Sequence, residues 1–301
     1  MPPVQRPALA LILRLAAAFV LATLIMLVKY TAGTGVRFGE ILFWRTSLTL
    51  PILGTWLVAQ GQLKRLQTKR MPAHLRRAAL GTVGMTMTFG APILLPLAES
   101  TTLSFTTPIF AVILSAALLA ERVGPWRWTA VAAGFIGILI IAQPGHTHMP
   151  LLGTAVGLGA AIMVALISIQ IRDLSRTDEP IAIVFWFSAW STLVFTVTLP
   201  LFFTAHTIAQ WLLLLAIGVL GCIAQLLLTA SLRFGQVASV IVMDYSSLIW
   251  ATIYGWLVWD QLPTAATWLG APLIVGAGGL IAFREHRLAK AISPISPVAS
   301  E

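Results

Sequence analysis

Two long apolar blocks, residues 100–120 and 126–142, follow each other with only the five residues Glu121–Pro125 between them. Each block can cross a hydrocarbon layer of about 30 Å, because an α-helix rises about 1.5 Å per residue. A connection of five residues is too short to hold a soluble domain. We therefore predict a transmembrane helical hairpin here, and similar apolar runs with short polar connections extend along the chain.

The composition supports a membrane protein throughout. Of the 301 residues, 58% are hydrophobic and 10% are charged, whereas soluble domains average about 45–50% apolar and about 25% charged residues. The predicted fold class is all-α integral membrane, with a Ser- and Pro-rich tail, residues 291–301, predicted to be disordered. Ten transmembrane helices are predicted, at about residues 9–30, 38–58, 78–98, 101–120, 126–142, 151–171, 180–203, 209–232, 236–259 and 264–283.

A looser copy of the hairpin pattern returns between Val237 and His286. An offset of 139 residues aligns Ser100 with Ser239, Leu118 with Leu257, Glu121 with Asp260, and Gly137 with Gly276. The pattern predicts two repeats of five helices each, residues 1–145 and 146–290. Because five is an odd number, the second repeat must enter the membrane in the opposite direction. Inverted repeats of this kind are typical of transporters that work by alternating access.

The basic residues predict the orientation of the chain. About 16 of the 19 Lys and Arg residues fall on the side of the N-terminus, six of them between Gln60 and Arg77. The positive-inside rule then places both termini in the cytoplasm. The formal net charge of +9 lies in connections beside the bilayer, so lipid is the expected partner and nucleic acid is not.

Charged residues inside apolar runs are candidates for function, because each is costly unless it faces protein or water. Asp244 interrupts the ninth predicted helix and can bind a cationic group or exchange a proton; a structural ion pair is the alternative. Arg45 and Lys29 can bind a substrate carboxylate, pair with Glu40 or Glu99 as an outer gate, or reach the lipid headgroups. Arg14, by contrast, is expected to reach the near interface.

Polar and aromatic side chains complete the predicted substrate site. Gln225 needs several hydrogen-bond partners near the middle of a helix, and Tyr245 can stack on a ring. The alternative for most of these residues is helix packing or a hydrogen bond to the helix backbone. The further candidates are Thr86, Ser104, Phe89, Phe105 and Trp186.

Motifs of several enzyme classes are missing from the sequence. It contains no HExxH, no GxSxG, no phosphate loop with Lys-Ser/Thr, and no CxxC. His146 and His148 alone are a weak metal signal, and the single cysteine, Cys222, is expected to pack. We predict neither a catalytic residue, nor a cofactor, nor a metal site.

Several segments resemble the drug/metabolite transporter superfamily, in its EamA-type branch of ten-helix transporters. The resemblance is carried by Pro96–Trp128, by Met243–Pro263 with its acid-tyrosine pair, by Lys29-Tyr30 and by Phe43-Trp44-Arg45. It implies a bacterial inner-membrane carrier with a central cavity, in a family that handles amino acids, other polar metabolites, riboflavin or S-adenosylmethionine. Many members have a proline where this chain has Met243.

The predicted function is secondary transport of small polar, amino-acid-like metabolites, by export or exchange. A cavity holding Arg45 and Asp244 suits a zwitterion, with a proton or a counter-substrate as the coupling partner. One alternative is an importer of a vitamin or nucleoside-like compound such as riboflavin or S-adenosylmethionine. Another is a polytopic membrane enzyme acting on lipid-linked substrates, and a receptor or assembly protein is a third. The chain is expected to act as a monomer or a homodimer.

Overall fold

The computed structural model of the chain describes residues 7–119, 125–142, 150–174, 177–234 and 242–292. Within these ranges the backbone forms twelve α-helices and two 3-10 turns, Leu63–Leu66 and Val242–Ser246, and no β-strand. The α-helices are α1 (Pro7–Gly33), α2 (Phe38–Ser47), α3 (Thr49–Ala59), α4 (Met71–Leu94), α5 (Leu97–Ser104), α6 (Thr107–Leu119), α7 (Pro125–Ala142), α8 (Leu151–Leu174), α9 (Pro180–Phe202), α10 (Ile208–Phe234), α11 (Ser247–Trp259) and α12 (Ala265–Ile292).

Within the described ranges, six helical stretches are long and apolar enough to cross a membrane, which makes the chain a multi-pass membrane protein. They are Leu11–Gly33, Phe38–Ala59, Leu97–Leu114, Leu151–Ile171, Pro180–Phe202 and Ile208–Leu228. Two shorter apolar helices occupy Trp128–Ile141 and Ala265–Leu280. The fold is therefore the predicted all-helical membrane fold.

Prolines interrupt two of the predicted helices. Proline has no N–H group and its ring clashes with the carbonyl four residues earlier. Pro51 accounts for the break between α2 and α3, four residues after Ser47. Pro108 similarly leaves the Ser104 carbonyl free, and the hydroxyl of Thr107 donates a hydrogen bond of 2.7 Å to it. The second break, between α5 and α6, lies in the core of the protein.

Several boundaries differ from the sequence prediction. α4 ends at Leu94 and not near residue 98, α5 begins at Leu97 and not near residue 101, and α12 extends past residue 283 to Ile292. The third predicted helix begins at Met71, earlier than residue 78, so part of the basic connection is helical. Pro72, at the second position of this helix, suits such a start because the first N–H groups of a helix need no helical acceptor. Near Asp244 the backbone forms a 3-10 turn and not a continuous α-helix, although Met243 stands there in place of proline.

Long helices pair across the two halves of the sequence. The most extensive packing is between α1 and α10, between α7 and α12, and between α4 and α8. α2 packs on α9, and α5 packs on α11. Each of these pairs joins a helix before residue 145 to one after residue 150. The two halves therefore share one core and do not form separate bodies.

The α7–α12 pair is held at close range by glycine. A Cβ built on Gly137 would lie 2.9 Å from the carbonyl oxygen of Gly270, and one on Gly270 would lie 2.7 Å from the carbonyl oxygen of Gly137. Such reciprocal contact requires residues without side chains at both positions. The two backbones therefore touch directly at this crossing.

Some predicted features lie outside the described residues. They are the hinge residues 121–124, the histidines 146 and 148, the start of the ninth predicted helix at residues 236–241, and all but the first two residues of the tail 291–301.

Candidate transport site

A cavity of about 500 Å³ lies between α1, α4, α5, α6, α8, α10 and α11, with the 3-10 turn 242–246 in its wall. Small side chains leave this space open, among them Ala18, Ala22, Ala160 and Ala251. The volume falls in the usual range of about 300–1,000 Å³ for small-molecule sites. The mostly apolar wall with a few polar groups also matches such sites.

An ion pair forms the charged part of the wall. Nε of Arg14 on α1 donates to Oδ1 of Asp244 at 2.6 Å, and Nη2 donates to Oδ2 at 2.5 Å. The Arg14 side chain is 11% exposed and that of Asp244 is 35% exposed. Bidentate pairs of this geometry are the strong form of the arginine–carboxylate contact. The pair connects α1 to the 3-10 turn across the cavity wall.

An aromatic pair and several hydroxyl groups lie on the same wall. The rings of Phe105 and Tyr245 meet edge to face, with their centroids 4.9 Å apart. Phe105 lies in the interruption between α5 and α6, and Tyr245 lies in the 3-10 turn. Tyr245 contributes its ring to the wall, and the lining residues with a hydroxyl group are otherwise Thr88, Ser100, Thr101, Ser104, Thr107, Ser168 and Ser247. Four of the predicted site residues, Asp244, Tyr245, Ser104 and Phe105, are thus brought together at one cavity.

Arg45 lies elsewhere, outside the cavity lining. Its guanidinium stacks 4.5 Å from the ring centroid of Phe89, and Nη1 contacts the Met85 sulfur at 2.7 Å. Arg45 is 7% exposed, and no ion pair to it occurs among the described residues. Arg45 and Asp244 therefore do not face each other across the cavity in this structure. Phe89, also predicted to bind substrate, packs beneath the guanidinium.

Lys29 and Glu99 lie beyond the cavity, toward the end of α1 that is remote from the N-terminus. The Lys29 ammonium donates to the Leu95 carbonyl at 2.7 Å and lies 5.1 Å from the Trp259 ring centroid. Glu99 is 1% exposed. Its Oε1 accepts hydrogen bonds from the Thr264 backbone N–H at 3.3 Å and from the Thr267 hydroxyl at 3.4 Å. These contacts join the α4–α5 corner to the α11–α12 corner.

Glu40 forms a second buried contact on that side. Its Oε1 lies 2.5 Å from Nε2 of His206, and both side chains are fully buried. The His206 ring also meets the ring of Trp211, with centroids 5.0 Å apart. Glu40 thus joins the start of α2 to the connection between α9 and α10. It does not pair with Arg45 or Lys29.

Three other predicted residues are also outside the cavity lining. The Thr86 hydroxyl donates to the Thr82 carbonyl of its own helix at 2.9 Å. Trp186 donates to the Leu66 carbonyl at 2.9 Å, beside the basic connection. Gln225 lies on α10, a turn before the lining residue Leu228.

Arg14 is the residue at this site that sequence reasoning assigned elsewhere, since it was expected to reach the interface. The sequence nonetheless contains an indication that Arg14 pairs with Asp244. Arg14 and Asp244 are opposite charges in apolar runs that are both predicted to begin on the cytoplasmic side, and they follow the predicted starts at residues 9 and 236 by five and eight residues. Opposite charges at similar depth are candidates for pairing.

The helical fold defines a polytopic membrane protein with an internal cavity of about 500 Å³. A family model for the EamA-like transporter family matches residues 8–143 and again residues 151–283. The chain belongs to this family, within the drug/metabolite transporter superfamily. It is accordingly a transporter and not an enzyme.

Characterised relatives differ in what they carry. The chain is 30% identical over 270 residues to the pseudopaline exporter CntI of Pseudomonas aeruginosa, covering 88% of this chain and 93% of that protein. It is 30% identical over 233 residues to a riboflavin transporter of Vibrio cholerae, covering 76% and 77%. It is 25% identical over 256 residues to an S-adenosylmethionine uptake transporter of Rickettsia bellii, covering 85% and 87%.

A solved crystal structure has the same fold. It superimposes with a TM-score of 0.64 at 20% sequence identity, covering 94% of this chain and 99% of that one.

Proposed function

We propose that this protein is a secondary transporter that exports or exchanges small polar, amino-acid-like metabolites by alternating access. The observation that carries the proposal is the cavity of about 500 Å³ with the Arg14–Asp244 ion pair in its wall. A charged pair inside a membrane protein is costly unless it has a role or excellent partners. Substrate binds in this cavity, at Asp244, Tyr245, Ser104 and Phe105.

Helix packing supports ten spans arranged as two inverted repeats, residues 1–145 and 146–290. Span 2 consists of α2 and α3, span 4 consists of α5 and α6, and span 9 consists of the turn 242–246 and α11. In two such repeats, span n of the first repeat corresponds to span n + 5 of the second. Span 1 (α1) packs on span 8 (α10), and the two spans that correspond to them, span 6 (α8) and span 3 (α4), also pack on each other. The remaining contacts, of span 2 with span 7, span 4 with span 9 and span 5 with span 10, each join two corresponding spans, so exchanging the repeats leaves them unchanged. The two separate matches of the family model, to 8–143 and 151–283, also support this division.

The spans that line the cavity also correspond in pairs between the two repeats. The cavity wall is built by spans 1, 3 and 4 together with spans 6, 8 and 9. Both interrupted helices of the cavity, at Phe105 and at Asp244–Tyr245, belong to corresponding spans 4 and 9. A site on the pseudo-two-fold axis with broken helices is the arrangement that alternating access uses.

The distribution of basic residues supports an orientation with both termini in the cytoplasm, and the bacterial relatives support a location in a bacterial inner membrane. In this orientation the Lys29, Glu99 and Glu40 contacts lie between the cavity and the outer surface. These contacts support the assignment of Glu99 and Glu40 to an outer gate. Asp244 is the candidate coupling residue, since it can exchange a proton or a counter-substrate when its partner leaves.

One observation favours a second candidate, an importer of a vitamin or nucleoside-like compound. The Phe105–Tyr245 pair gives the cavity an aromatic wall on which a flat ring can stack. Riboflavin and S-adenosylmethionine transporters are among the relatives.

Counterflow in proteoliposomes tests the proposal. Vesicles with purified protein are loaded with a panel of unlabelled metabolites, and uptake of each labelled compound is measured. We expect saturable counterflow of at least one polar metabolite, and loss of that counterflow in Asp244→Asn. Asp173→Asn, which changes a 54% exposed carboxylate outside the cavity, is the matched control. Absence of counterflow for every compound, with intact protein, would contradict the proposal.

A further inference from the structure

We propose that the Arg14–Asp244 ion pair is the part of the site that selects substrate, and that it selects molecules with a carboxylate and an ammonium close together. The inference rests on the proposed transport function and specifies its substrate class. Binding exchanges partners: the carboxylate of the substrate takes the guanidinium, and the ammonium takes the Asp244 carboxylate. Arg14 is thereby a specificity-determining residue.

The charge content of the cavity is the first reason. Among the described residues of its wall, Arg14 and Asp244 are the two charged ones, and their charges cancel. A substrate with a single charge would bind one partner and leave the other uncompensated in a low-dielectric site, which is unfavourable. A substrate with both charges satisfies both partners. An uncharged substrate gains nothing from the pair.

The geometry of the pair is the second reason. Both guanidinium hydrogen bonds run to the two oxygens of one carboxylate, at 2.5 and 2.6 Å. This face of Arg14 is shaped for a planar carboxylate, and a carboxylate of the substrate can use the same donors. Asp244 is about a third exposed, so its carboxylate is accessible to a ligand while the guanidinium is covered.

The position of the pair links recognition to movement. Arg14 belongs to α1 and Asp244 to the turn that precedes α11, so the pair ties two spans of opposite halves together. Exchange with a zwitterion releases this tie, and a neutral ligand leaves it closed. Binding of the correct charges is therefore required before the two spans can separate.

A metabolite extract supplies the test, because it offers many candidate substrates to the protein at once. Proteoliposomes are loaded with a uniformly 13C-labelled bacterial extract, and compounds that leave through wild-type protein are identified by mass spectrometry against protein-free vesicles. We expect the exported compounds to carry both a carboxylate and an ammonium. N-acetylated and methyl-esterified forms of these compounds, which keep one charge each, are then assayed, and we expect export of both to be at least about tenfold slower.

Single substitutions give opposite shifts that a purely structural ion pair would not. Asp244→Asn retains Arg14 and is expected to favour the N-acetylated form, which keeps its carboxylate. Arg14→Gln retains Asp244 and is expected to favour the methyl ester, which keeps its ammonium. Each shift in preference should reach about tenfold relative to wild type. Arg70→Gln/Asp173→Asn removes a 2.6 Å ion pair outside the cavity and should leave preference unchanged.

The outcomes separate the two proposals. Export of compounds that lack the two charges, or equal losses for all forms in both variants, overturns the inference while transport itself stands. Export of no compound by correctly inserted wild-type protein overturns the proposed function, and the inference with it.

Discussion

The rings of Phe105 and Tyr245 meet edge to face, with their centroids 4.9 Å apart, and so connect the two interrupted spans of the cavity wall. Each ring belongs to an irregular segment of backbone. Pro108 interrupts the helix at Phe105, whereas the 3-10 turn that holds Tyr245 contains no proline. The contact is worth about 0.5–1.5 kcal/mol beyond the area it buries. It therefore holds the two interruptions together at the candidate substrate site.

The position of Tyr245 depends on Gly278 of α12. A Cβ at residue 278 would collide with the Tyr245 hydroxyl, which is buried and has no hydrogen-bond partner among the residues that the structure describes. We expect Gly278→Ala to push the ring toward the cavity and to slow transport about tenfold, measured as initial counterflow rate. Tyr245→Phe removes the colliding atom and should restore part of the rate in the double variant.

Gly279→Ala is the matched control for this prediction, because a Cβ there meets nothing within 4 Å. Equal losses for Gly278→Ala and Gly279→Ala would mean that helix propensity, and not the contact with Tyr245, is responsible.

The crossing of α7 and α12 predicts a stability effect away from the cavity. Gly137→Ala should lower the free energy of unfolding by about 1–3 kcal/mol, because its Cβ would lie 2.9 Å from the Gly270 carbonyl oxygen. Gly276→Ala on α12, where the space is open, should be neutral or slightly stabilising. Thermal unfolding in detergent compares the two. A Gly137→Ala protein as stable as Gly276→Ala would show that the helices separate easily.

Replacement of the buried Arg45 by an apolar residue is expected to have an unusual effect on the stability of the protein. Arg45→Met is expected to leave stability unchanged or to raise it by about 1 kcal/mol, because methionine replaces a desolvated cation that has no described ion pair. Arg45→Lys should be less stable than either, since lysine keeps the charge and loses the planar stacking on Phe89. Melting temperatures in detergent measure both. If Arg45→Met melts normally but fails in counterflow, Arg45 acts on substrate in another conformation.

We expect the connection between α8 and α9, which contains Asp178, to be sensitive to acid. Burial acts to raise its pKa, but hydrogen bonds from Thr177, Thr68 and His74, with the charge of His74, hold the pKa below the ordinary 3.8. A depressed pKa in the folded state stabilises the protein above pH 3.8, and this contribution is lost as the pH falls through the folded value.

We therefore expect Asp178→Asn to melt below wild type at pH 6 and the difference to shrink below pH 3.8. Asp173→Asn, at a 54% exposed carboxylate, should show a smaller difference at either pH. A gap between wild type and Asp178→Asn that stays constant down to pH 3 would contradict the assignment.

Much of the fold follows from the sequence because apolar length alone predicts membrane helices. The interruption at Phe105 is readable from Pro108, since proline removes a fixed hydrogen bond. The turn at Asp244 has no such residue, and its place depends on contacts with α1, α11 and α12. The pairing of helices likewise depends on tertiary structure and cannot be predicted from local sequence, because partners such as α1 and α10 are about two hundred residues apart in the chain.

The same limit applies to the candidate site. Asp244, Tyr245, Ser104 and Phe105 could be predicted because a polar or aromatic residue in an apolar run is conspicuous. Arg45 is equally conspicuous, yet it packs on Phe89 and Met85 behind the cavity wall. A sequence shows that a charge is inside a helix but does not show which neighbour its side chain faces.

The pairing of Arg14 with Asp244 across 230 residues has a consequence for biosynthesis. The ribosome delivers α1 first, and the chain segment that carries its carboxylate partner emerges only after most of the protein has been made. During this interval Arg14 must be accommodated by lipid headgroups and water, which a long side chain near the end of a helix can reach. Withdrawal of Arg14 from the interface onto Asp244 would then mark the moment at which the newly made protein closes around its cavity.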